Sequence, residues 1–77
     1  MTHDNASKLG HMAGQIAAFF RYLPEADAAA AIAGHINQFW SSRMRGELLA
    51  RFGADPSPLD PGVRRALDLV RAPRSGQ

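Results

Sequence analysis

Apolar residues in this chain recur at helical spacing. Leu9, Met12, Ile16, Phe19 or Phe20, and Leu23 fall on one stripe of a helix, with Asp4, Asn5 or Ser7 available to cap its start. Pro24 cannot continue a helix interior but fits the first turn of a second helix, where Glu25 and Asp27 sit favourably against the positive end. Alanines from Ala28 to Ala33 favour helix strongly and allow another backbone to approach closely.

From Ile32 onward the large apolar residues recur every fourth position: Ile32, Ile36, Trp40, Met44, Leu48 and Phe52. A spacing of four drifts about 40° per step on a helix of 3.6 residues per turn. Over this length one straight rod cannot bury the whole stripe. Either a break at Ser41-Ser42, with a serine hydroxyl capping the next helix, or a long helix showing different faces to different neighbours resolves the conflict; the break is favoured. Phe52-Gly53 then reads as a helix end carrying a left-handed glycine, and Ala54 to Pro58 as a turn-rich loop. Asp60-Pro61 marks a last, short helix, with Val63, Ala66, Leu67 and Val70 as its stripe. No segment alternates with period two. The expected class is all-α: a small bundle of three to four short helices without strands, a single helical domain over residues 1–71 and a flexible tail over 72–77.

Two aromatic doublets change the picture. Adjacent helical residues point about 100° apart, so Phe19-Phe20 and Phe39-Trp40 cannot each bury both rings on one narrow face. One ring of each is expected to face outward. The chain has 77 residues and no cysteine, so neither a second core nor disulfides can supplement its stability, and docking to a partner is the common remedy. Phe19, Phe20, Phe39, Trp40 and Met44 form the expected apolar interface. Arg43 and Arg45 are expected to pair with partner carboxylates around it, and Trp40→Ala to weaken association.

Composition excludes several other functions. The longest weakly polar run, Ala28 to Gly34, is far shorter than the ~20 residues of a membrane-spanning helix. Met1 to Asn5 lacks the basic and apolar segments of a secretory signal, which leaves the cytoplasm as the expected location. Net charge is only +2; the high isoelectric point of 9.9 reflects eight arginines beside one lysine. Arginine suits planar pairing with carboxylates or phosphates at interfaces.

Chemistry-bearing residues are scattered. His3, His11 and His35 lie on separate segments without ligand spacing, so no metal site is expected, and His11 and His35 flank the buried stripes. Ser41 and Ser42 have no implied base beside them, and Glu25, Asp27, Asp55 and Asp60 occupy helix starts and loops. Gly10, Gly14 and Gly34 fall inside helices instead of a phosphate loop, with Gly14 and Gly34 expected at close helix crossings. Neither a catalytic nor a cofactor-binding residue is expected. Two other readings fit the same pattern. One is a helix-turn-helix nucleic-acid binder with Arg43, Arg45 and Arg51 on the recognition helix, against which Glu47 interrupts the basic face. The other is a homo-oligomeric helical bundle.

Lys8-Leu9, Met12-Ala13, Gln15-Ile16-Ala17-Ala18-Phe19-Phe20, Ile32-Ala33-Gly34-His35-Ile36, Phe39-Trp40 and Arg43-Met44-Arg45 together resemble the delta subunit of soluble, NAD-dependent, molybdenum-containing formate dehydrogenases. The resemblance runs from Lys8 to Leu49, with a weaker echo in the Asp60-Pro61 helix. Gly14 stands where the family pattern has asparagine, and Ser41-Ser42 where an Asp-Pro pair is common. The resemblance implies a cytoplasmic complex that oxidises formate to carbon dioxide. Its other subunits would hold molybdopterin, iron–sulfur clusters and FMN, and this chain no cofactor. It implies an assembly or stability role beside the large molybdenum-containing subunit, and no catalytic residue carries over.

Overall fold

A computed structural model describes residues 5–72, apart from the side chain of Asn5. The expected caps at Asp4, the histidine His3 and the tail residues 73–77 lie outside the described residues. Among the described residues four helices follow in order: α1 (Asn5–Phe19), α2 (Glu25–Phe39), α3 (Ser42–Phe52) and α4 (Pro61–Leu67). Among the described residues there is no strand.

The helix starts follow from side-chain chemistry. Asp60 Oδ1 accepts the Gly62 N–H at 2.8 Å, and Pro61 opens α4 without a donor to leave unsatisfied. Pro24 sits one position before the first helical residue of α2, with extended ψ of 152°, and its carbonyl accepts the Ala28 N–H at 2.8 Å. Glu25 and Asp27 occupy the first turn. Between α2 and α3, Trp40 and Ser41 are both extended, with ψ of 143° and 162°. These two residues reset the drifting stripe, so Trp40, Leu48 and Phe52 are all buried and Met44 packs against the same core. The Ser41 hydroxyl accepts the Met44 N–H at 3.1 Å.

α1 packs on α3 and α2 on α4, and α1 also touches α2 and α4. The core is centred on Ala13, Ile32, Ile36, Leu48, Val63 and Ala66, each 0–1% exposed. On α1 the buried positions are Leu9, Gly10, Ala13 and Ala17; Met12, Ile16 and Phe20 pack around them only partly covered. The radius of gyration, 11.9 Å, is near the roughly 11.5 Å of a closed domain of this length.

Two glycine expectations are corrected. Gly53 ends α3 in the right-handed region, with φ −63° and ψ −38°, and its N–H donates to the Leu49 carbonyl at 2.7 Å. Close approach requires glycine there: an added Cβ would lie 2.5 Å from the Leu49 oxygen. Gly14 and Gly34 mark no crossing, since an added Cβ at either meets nothing within 4 Å. The tight contact is at Gly10, where a Cβ would come to 3.0 Å from both Leu59 and Phe52.

Candidate docking surface

Each aromatic doublet turns one ring in and one out, the outward ring on the last helical residue and the inward ring just past the helix end. Phe19, the last residue of α1, is 79% exposed, while Phe20 packs against the core. Phe39, the last residue of α2, is 67% exposed, while Trp40 is buried at 7%. The Phe39 ring is held by His35 one turn earlier, at 4.7 Å between centroids and a tilt of 41°. Trp40 belongs to the chain's own core, so its truncation acts on folding before it acts on any partner.

The two arginines of Arg43-Met44-Arg45 also part company. Arg45 is half-buried and spent inside the chain. Nη1 donates to the Trp40 carbonyl at 2.8 Å, Nε to the Arg71 carbonyl at 3.0 Å, and Nη2 to Ser42 Oγ at 3.4 Å. Arg43 is exposed. Met44 is half-buried against the core. Arg51 lies over the Phe52 ring, 5.1 Å from its centroid. Because Arg45 points inward, α3 does not present Arg43, Arg45 and Arg51 as one basic face for a nucleic-acid groove.

Asn37 takes part in the same closure and carried no sequence signal. Its Nδ2 donates to the Leu69 carbonyl at 3.0 Å and its Oδ1 accepts the Arg71 N–H at 2.7 Å. Asn37 and Arg45 therefore hold the segment after α4 across the ends of α2 and α3.

The structure exposes two further apolar side chains, Tyr22 at 80% and Leu69 at 51%. Tyr22 falls in the turn after α1, beyond the helical stripe, and its position three residues after Phe19 was the available signal. Ion pairs at the surface are open: Arg65 meets Glu25 at 2.8 Å, and Arg21 meets Asp60 at 3.9 Å. Such exposed pairs contribute little to stability. His11 is exposed and His35 half-buried on different helices. Among the described residues no three His, Cys, Asp or Glu side chains gather where they could hold a metal ion.

A family model described as NADH-dependent formate dehydrogenase delta subunit matches residues 8–67. The chain belongs to this family. Comparison with curated proteins and with solved structures yields no match. The matched span begins in the first turns of α1 and ends with the last residue of α4, so this delta subunit is matched across all four helices. No helix among its described residues is long and apolar enough to cross a membrane.

Proposed function

We propose that this delta subunit is a non-catalytic accessory chain of a cytoplasmic NAD-dependent formate dehydrogenase. It docks on the large molybdenum-containing subunit and supports that subunit's assembly or stability. The observation that carries the reading is the pair of outward rings, Phe19 and Phe39, on a fold whose core is already closed by Phe20 and Trp40. Rings that contribute nothing to the chain's own core and stand at helix ends are suited to filling pockets on another protein.

Molybdopterin, the iron–sulfur clusters and FMN are assigned to other subunits in this reading. The sequence has no cysteine to ligate a cluster and no glycine-rich phosphate cradle, which supports that division. Formate oxidation itself is assigned elsewhere in the complex.

Expression of the large subunit with and without this chain tests the reading. Co-expression is expected to raise the recovery and thermal stability of the large subunit and to yield a complex that purifies together. Equal recovery and no co-purification would refute it.

A further inference from the structure

Between the start of α1 and the start of α3 lies a shallow depression of about 330 Å³, lined by Lys8, Leu9, Arg43, Met44 and Glu47. Leu9 is buried and Met44 packs on the core, so the floor is apolar. Lys8 and Arg43 are exposed on the rim and Glu47 is half-buried, which leaves an excess of one positive charge.

Like the exposed Arg64 and Arg71, these two bases have no side-chain partner among the described residues. Arg21 and Arg65 face Asp60 and Glu25, whereas among the described residues no ion pair or side-chain hydrogen bond engages Lys8 or Arg43. Arg43 also stands in the first turn of α3, which contains no acidic residue, so its charge opposes the positive end of the helix. The chain gains no internal contact from it. The exposed Phe39 precedes Arg43 by four residues across the Trp40–Ser41 bend.

We infer that this depression receives a carboxylate side chain of the partner polypeptide, seated between Lys8 and Arg43 above Leu9 and Met44, with an apolar partner residue against Phe39. The inference rests on the docking reading above and names where and with what chemistry docking occurs. A second copy of this chain is a poor occupant. A two-fold contact brings the same patch together on both copies, so two depressions that each carry an excess positive charge would face one another, and the chain already carries a net +2. A phosphate backbone is disfavoured because Arg45 is turned inward, so α3 offers no continuous basic face to track it.

The test uses the full chain and its complex with the large subunit. Lys8→Glu with Arg43→Glu is expected to weaken association by at least about tenfold and to reverse its salt dependence, because attraction becomes repulsion. The melting temperature of the isolated chain should stay unchanged or rise by about a few degrees, since Arg43→Glu suits the helix start. The neutral pair Lys8→Gln with Arg43→Gln should give an intermediate loss, and Glu47→Gln a gain of about two- to threefold. Wild-type binding together with unaltered affinity and salt slope in the charge-reversed variant would overturn this inference and leave the docking reading standing. No binding by the wild-type chain would overturn both. Self-association or duplex DNA binding that the charge reversal abolishes would overturn it in favour of those occupants.

Discussion

Arg45 Nη1 donates to the carbonyl oxygen of Trp40 at 2.8 Å, so a cation from the first turn of α3 closes the end of α2. The same guanidinium reaches Arg71 and Ser42, joining three segments through one planar group. A carbonyl at a helix C-terminus carries partial negative charge, which makes a cation there favourable.

Arg45→Ala is therefore expected to destabilise the isolated chain by about 1–2 kcal/mol, the cost of charge-assisted hydrogen bonds at a half-buried site. Arg45→Lys should recover less than half of that, because an ammonium cannot reach divergent acceptors as a planar fork does. Denaturant unfolding of the three proteins measures both differences. Equal stability of wild type and Arg45→Ala would remove the clasp from the account.

Glycine substitutions should divide by position. Gly53→Ala forces a Cβ to 2.5 Å from the Leu49 carbonyl oxygen and is expected to cost about 1–3 kcal/mol. Gly14→Ala and Gly34→Ala lie in helix interiors with open space around the new methyl, so each should stabilise the chain by about 0.5–1 kcal/mol. Thermal melts distinguish the two groups by sign.

Acid should loosen the turn after α3. The Ser57 hydroxyl donates to Asp55 Oδ1 at 2.7 Å, and the Ser57 N–H at 3.3 Å. The hydroxyl bond and then the N–H hold the Asp55 carboxyl below its ordinary value of 3.8; desolvation opposes them, and the nearby Arg51 charge adds the smallest lowering. A carboxyl depressed on folding favours the folded turn above its ordinary range, and that contribution fades as pH falls through the folded value. Ser57→Ala should raise the Asp55 midpoint toward 3.8, read by carboxyl NMR titration. An unchanged midpoint would contradict the assignment of the shift to Ser57.

The elements were legible where local chemistry and periodicity agreed. Asp60-Pro61 names a helix start by itself, and the four-residue spacing from Ile32 to Phe52 favours a break at Ser41-Ser42, which the structure makes at Trp40 and Ser41. The doublets showed that one ring of each must leave the core, although not which one. What stayed hidden depends on long-range partners. Arg43 and Arg45 look equivalent along the chain, and only the return of residues 69–71 to the end of α2 shows that Arg45 points inward. Gly53 suggested a left-handed helix end because that is the usual use of glycine there; the close Leu49 carbonyl is a contact that composition cannot show. At Gly14 and Gly34 small size suggested neighbours that the fold does not supply. Along the chain Lys8 belongs only to the family pattern, because its depression forms only where α1 and α3 meet.

In the proposed docking, the outward ring at the end of α2 serves another protein and the inward ring serves the fold. Parallel measurement of chain stability and of affinity for the large subunit in Phe39→Ala and Trp40→Ala tests it most directly. Phe39→Ala is expected to change stability by no more than about 0.5 kcal/mol and to weaken association by about 2 kcal/mol, whereas Trp40→Ala should cost the fold about 3–5 kcal/mol. Full affinity in a stably folded Phe39→Ala chain would contradict the account.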